Sequence, residues 1–266
     1  MDVNEIVLIA AKAGKIILEN GGEIYRVEDT IIRVCNAFNI NNPEAIVMPT
    51  GIFISATDEN NNSISIIKRI HSRKVNLDKI SKVNDLSRKL SSKVLTIDEV
   101  KKQLDLLEKA PGYSPLTNVL ISGFAVTSFA LLLGASIKDS IFAFFIGIII
   151  NLMTSYLSKI KFNDFFINLT GGFIAAILGI ILAKIKLIYS MDTVIISSIM
   201  LLVPGLIITN AIRDTIAGDL VSGISRALEA FFIAIAIAVG SGMAFKLWIS
   251  LGGNIWWIYY MLFMQV

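Results

Sequence analysis

The sequence predicts an α-helical polytopic membrane protein with about five transmembrane helices and an N-terminal soluble α+β domain. Three observations predict it. Charge is unevenly spread: 31 of residues 1–112 are Lys, Arg, Asp or Glu, against 14 of residues 113–266. The first share is ordinary for a water-soluble domain, whereas membrane segments exclude charge because it is costly in hydrocarbon. After Pro111-Gly112, four stretches carry no charge, 110–137, 140–158, 165–183 and 193–212, and a fifth, 227–245, carries only Glu229. Each approaches the roughly 20 residues that a helix needs to cross ~30 Å of hydrocarbon. Third, residues 1–112 switch between helical and strand periodicity, with turn signals between.

The elements follow in order. Val3, Ile6, Val7, Ala10, Ala13 and Ile17 form a helical stripe that Gly21-Gly22 breaks. Ile24, Val27, Ile31, Val34 and Phe38 form a second, so a helical hairpin is expected. Residues 45–57 are rich in β-branched groups, Asn60-Asn61-Asn62 signals a turn, and Ser63-Ile64-Ser65-Ile66 alternates. This predicts two or three antiparallel strands, with Pro49 at an edge or a break. Two helices close the domain. One runs from about Leu77 to Leu90 with Asn76 as N-cap, and one starts at Thr96, where Thr96-Ile97-Asp98-Glu99 matches a capping box.

The soluble domain thus takes 1–112, and the membrane domain 113–249, with helices at about 115–134, 140–158, 165–184, 193–212 and 227–247. Gly252-Gly253-Asn254 interrupts the last apolar run, and Trp256, Trp257, Tyr259 and Tyr260 give residues 250–266 the composition of an interfacial tail. Basic residues near the span ends divide evenly between the two sides; Lys101, Lys102 and Lys109 before the first span tip the balance. They place the N-terminal domain in the cytoplasm of a multi-pass cell-membrane protein.

Several function classes drop out. Cys35 is the only cysteine and His71 the only histidine, so neither a disulfide within the chain nor a cysteine or histidine pair for a metal is possible. No basic stripe interleaved with aromatics suits nucleic acid. No phosphate-binding loop or Gly-x-Ser-x-Gly occurs, so neither catalytic residues nor a cofactor is expected.

Chemistry concentrates in residues 203–230. Pro204-Gly205 falls inside the fourth predicted span, where proline removes a backbone donor. That reads either as an ordinary kink or as the interrupted helix with which transporters expose backbone to a solute. Asn210 and Asp214 share a helical face; Arg213, Asp219, Arg226 and Glu229 follow. They read either as a solvated loop or as a polar vestibule. In a vestibule, Arg213 or Arg226 would pair a carboxylate, and Asp214 or Asp219 an ammonium or a proton. Asn151 and Asn168 are weaker candidates, since polar groups in spans more often bond a neighbouring helix.

Three stretches carry a family resemblance: Gly21-Gly22-Glu23-Ile24-Tyr25-Arg26-Val27-Glu28-Asp29-Thr30; Pro49-Thr50-Gly51-Ile52-Phe53-Ile54-Ser55-Ala56-Thr57-Asp58 with Val75-Asn76-Leu77 and Val83-Asn84; and Val203-Pro204-Gly205 through Asn210, Arg213-Asp214, Gly218-Asp219, Ser222-Gly223, Arg226 and Glu229-Ala230. With these the chain resembles the threonine/serine exporter family. The resemblance implies a secondary exporter of small polar metabolites, a threonine/serine-type amino acid or a small dicarboxylate, driven by the proton gradient. Long members join this unit to a second membrane module. This chain is similar to the large subunit of the split form, whose partner is a separate small membrane subunit. The rival reading is a membrane-anchored regulatory or signalling protein whose N-domain binds a cytosolic partner. A membrane enzyme using the N-domain is a third.

Overall fold

Amphipathic periodicity and a glycine stop shape the first hairpin. Helix α1 (Val3–Glu19) buries Ile6, Ile16, Ile17 and Leu18 almost completely, each such burial contributing about 1.5–3 kcal/mol. Gly21 ends it in the left-handed region at φ +93°, where a side chain would be strained. Helix α2 (Ile24–Ala37) returns with Val27, Ile31 and Val34 facing α1 in one core. The computed structural model describes residues 3–57, 63–92 and 95–253. The expected turn at Asn60-Asn61-Asn62 and the aromatic residues of the expected tail lie outside the described residues.

Strands β1 (Asn41–Met48), β2 (Gly51–Thr57) and β3 (Ser63–Arg69) form an antiparallel sheet in the order β1-β2-β3. Pro49 falls in the turn between Met48 and Gly51, where its missing N–H breaks no ladder bond. Central β2 alternates as a half-buried strand should: Ile52, Ile54 and Ala56 point into the core, and Phe53 points out. Helix α3 (Leu77–Ser92) starts after Asn76, whose Oδ1 accepts the Lys79 N–H at 3.1 Å. Helix α4 (Ile97–Lys109) opens on the expected capping box: Thr96 Oγ1 accepts the Glu99 N–H, and the Glu99 carboxylate accepts the Thr96 N–H. Lys12 and Lys15 on α1 pair with Asp105 and Glu108 on α4.

In the apolar part, Ser114, Ser136 and Asn163 cap helices α5 (Pro115–Leu132), α6 (Ile137–Lys159) and α7 (Asp164–Lys184). Together with α10 (Leu220–Ser250), these are four helices long and apolar enough to cross a membrane. Between 22% and 39% of each apolar window is buried, so most of these side chains face outward, as lipid contact requires. Where α7 and α10 cross, Gly172 and Gly240 bring the backbones together. A Cβ on Gly240 would strike the Leu169 carbonyl and sit 3.0 Å from the Phe173 nitrogen. Asp139, buried at the start of α6, accepts the N–H groups of Tyr189 and Ser190 at 2.8 and 3.1 Å.

One expected span is absent as a single helix. Residues 193–212 fall on two helices, α8 (Met191–Ile199) and α9 (Gly205–Ala217), separated around Pro204. Proline lacks the N–H that would continue the ladder and disfavours helical backbone at Val203. Among the described residues four helices are each continuous and long and apolar enough to cross a membrane, and the remaining expected span is divided at Pro204. Helix α10 also begins seven residues before the expected start at 227, taking up Ser222 and Arg226. Gly218, at φ +97°, ends α9, and the Asp219 carbonyl accepts the Gly223 N–H at 2.9 Å as α10 begins.

By contacts the chain forms two units. One joins Met1–Gly112 to Gly205–Glu229; the other joins Tyr113–Pro204 to Ala230–Val266.

Candidate functional site

The Gly21-Gly22-Glu23-Ile24 turn ends one helix and starts another, so it presents unpaired backbone groups. Within the first unit these meet α9 and the first turns of α10. Asn210 Nδ2 donates to the Gly21 carbonyl at 2.9 Å, and an Arg226 terminal nitrogen to the Gly22 carbonyl at 2.9 Å. Asp214 Oδ1 accepts the Ile24 N–H at 3.1 Å, a carboxylate at a helix N-terminus, where partial positive charge favours it. Their four-residue spacing, close to one 3.6-residue turn, puts Asn210 and Asp214 on one face of α9, and both are fully buried.

Arg226 Nε lies 3.0 Å from Asp214 Oδ2, and the two side chains are 3% and 0% exposed. The Nε–H does not point at that oxygen, which leaves both atoms without a hydrogen bond while the charges attract.

A second ion group lies beside the first. Buried Glu23 takes Arg213 at 2.5 Å on one oxygen and Arg26 at 2.8 Å on the other. Burial works to raise its pKa, but its own backbone N–H, Arg26 and Arg213 outweigh that and hold it below the usual carboxylate range. Glu28, one turn along α2, accepts the Val47 N–H at 3.0 Å; burial and the charges of Asp219 and Asp214 push it up.

Of the residues singled out in the sequence, Asn210, Arg213, Asp214 and Arg226 thus converge on one turn. Pro204 and Gly205 set the break that starts α9. Asp219 contributes backbone bonds, its N–H donating to the Asp214 carbonyl at 2.8 Å. Glu229 pairs instead with Arg73 at 2.7 Å, on a partly exposed face. Asn151 and Asn168 do not join them: Asn151 bonds Ser122 on α5 at 2.8 Å, and Asn168 bonds the Asp164 carbonyl of its own helix. Glu23, Arg26, Glu28 and Arg73 are the members sequence reasoning did not select. Glu23, Arg26 and Glu28 carried a signal in the run Gly21 through Thr30, Arg73 lay outside it, and no periodicity links any of them to α9 or α10.

Chemically, the arrangement is a buried carboxylate that can hold a proton, set against a buried guanidinium, with a solvent-facing arginine, Arg213, alongside. Among the described residues no cluster suits a metal ion.

A family model described as "Putative threonine/serine exporter" matches residues 8–248. A threonine/serine exporter of Corynebacterium glutamicum is 26% identical over 247 residues, covering 90% of this chain and 50% of the relative. A probable threonine/serine exporter of Mycobacterium tuberculosis is 20% identical over 245 residues, covering 90% and 46%. A probable succinate transporter subunit, YjjP, of Klebsiella aerogenes is 21% identical over 233 residues, covering 87% and 90%. The chain therefore spans about half the length of the two exporters and nine-tenths of the succinate transporter subunit. No solved structure matches it.

Proposed function

The chain belongs to the threonine/serine exporter family, whose model covers residues 8–248, and from that membership we propose that it is a subunit of a proton-coupled secondary transporter exporting small polar metabolites. The solute is a threonine/serine-type amino acid or a small dicarboxylate, the two kinds named among its relatives. The observation that carries the reading is the buried Asp214–Arg226 pair where α9 and α10 grip the Gly21–Ile24 turn. Buried ion pairs are weak sources of stability, and titratable groups in such settings are candidates for function. Protonation of Asp214 removes the charge facing Arg226 and weakens the acceptor of the Ile24 N–H. Proton uptake thereby loosens the corner between α9 and α10, and Arg213 is the group offered to a solute carboxylate.

In this reading α8 and α9 are halves of a fifth, interrupted crossing; their 9 and 13 residues together approach a full span. The protein sits in the cell membrane with its N-terminal domain cytoplasmic, on the side favoured by Lys101, Lys102 and Lys109. A separate small membrane subunit completes it, as the name and length of the succinate transporter subunit suggest.

The test is efflux. Cells overexpressing the chain, with and without a neighbouring small membrane protein, are loaded with serine, threonine or succinate, and a protonophore is then added. Faster efflux of one solute, slowed by the protonophore, is expected. Unchanged efflux of all three, with the chain present in the membrane in normal amounts, would leave the regulatory-anchor reading in its place.

A further inference from the structure

Beside the Glu23 ion group the first unit contains a pocket of about 480 Å³, walled by α2, α3 and α9. That volume lies within the ~300–1,000 Å³ of small-molecule sites. Its charged and amide lining is Glu23, Arg26, Asn84, Asp85, Arg88 and Arg213, three guanidiniums against two carboxylates. Two of the guanidiniums are partly engaged. Glu23 takes Nε and one terminal nitrogen of Arg26 and one terminal nitrogen of Arg213, so donors remain on both. Arg88 is different: it makes no hydrogen bond or ion pair among the described residues, and neither does Asp85, three positions earlier on α3.

We propose that this pocket binds a small carboxylate, with Arg88 as its principal contact and Arg26 and Arg213 as flanking donors. Guanidinium forks match a carboxylate with two parallel hydrogen bonds, and a site with an excess of one positive charge attracts one negative group. Asp85 and Arg88 stand on neighbouring positions of one helix face, an acid and a base side by side with no ion pair between them. That pattern complements a zwitterion, whose ammonium goes to Asp85 while its carboxylate goes to Arg88. Buried Glu23, already neutralised by two arginines, keeps the pocket's inner donors oriented. A second carboxylate on the ligand would face Asp85, so serine is expected to bind more tightly than succinate. This inference concerns binding and goes beyond the transport reading: the pocket holds its ligand whether that ligand is cargo or regulator.

Equilibrium binding separates the two readings. The purified full chain in lipid nanodiscs is titrated calorimetrically with serine, succinate and inorganic phosphate, each to about 10 mM, which fills most of a millimolar site. Arg88 and Asp85 are exposed, so Arg88→Gln and Asp85→Asn leave the core untouched. The expected result is serine binding that Arg88→Gln weakens about tenfold or more and Asp85→Asn weakens less. Succinate bound in place of serine, with the same loss in Arg88→Gln, keeps the carboxylate assignment and gives both carboxylates to the arginines. Binding that Arg88→Gln leaves unchanged, phosphate binding as tightly as either carboxylate, or no binding of any of the three overturns the proposal. Efflux that fails in cells while binding persists counts against the transport reading alone.

Discussion

Replacing Asp214 by Asn removes one charge and almost no volume. Its amide oxygen still accepts the Ile24 N–H, so the loss falls on Arg226, which is 3% exposed and keeps only the Gly22 carbonyl as a hydrogen-bond acceptor. Leaving a buried charge uncompensated costs about 3–5 kcal/mol. The partly exposed Arg73–Glu229 pair supplies the comparison: screened by water, it is worth about 0.2–1 kcal/mol, so Glu229→Gln measures a surface loss in the same segment. Cys35 provides the assay. It is the only cysteine, lies in the core of the first unit, and burial pushes its thiol up to about 11, so a maleimide dye reaches it when the unit opens. At about 3 kcal/mol the population of open molecules rises on the order of a hundredfold, and labelling of Asp214→Asn in nanodiscs should accelerate accordingly. Glu229→Gln should stay within about fivefold of the parent. If Asp214→Asn also stays within that margin, the buried pair does not hold the corner and the reasoning fails. Below its melting temperature the same variant should export more than about tenfold more slowly, since a lost essential charge contact costs on the order of 2–5 kcal/mol.

Other outcomes follow from the same geometry. Gly240→Ala drives a methyl group into the backbone of α7 and should lower the melting temperature, at a cost of about 1–3 kcal/mol; Gly242→Ala, which meets open space on the same helix, should not. The Glu23 pKa is depressed in the folded chain, so its stabilising contribution is present above its unfolded value and lost as pH falls through the folded one. The stability difference between the parent and Glu23→Gln should therefore shrink as pH falls from about 7 to about 3; a constant difference argues against the clamp. Reporter fusions after Lys109 and after Val266 should appear on opposite sides of the membrane if α8 and α9 make the fifth crossing, and on the same side if only the four continuous helices cross.

What the sequence determined by itself was everything set by local periodicity and local sterics. The drop in charge after Gly112, the stop at Gly21, the capping box at Thr96 and the length of each uncharged window depend on neighbours a few residues apart, so they are legible in a linear string. At 193–212 the local signal was Pro204, which reads either as a kink or as an interruption; hydropathy alone does not choose between them, and the packed chain forms two helices there. Only the tertiary structure decided who meets whom. Asp214 and Ile24, Arg213 and Glu23, and Arg226 and Gly22 are 190 to 204 positions apart, and a single buried hydrogen bond or ion pair leaves no repeat in the chain. It likewise decided that Asn151 and Asn168 bond within and between helices while Asn210 bonds the turn. A buried polar side chain bonds whatever group the packed backbone places within about 3 Å, and its residue type does not say which group that will be.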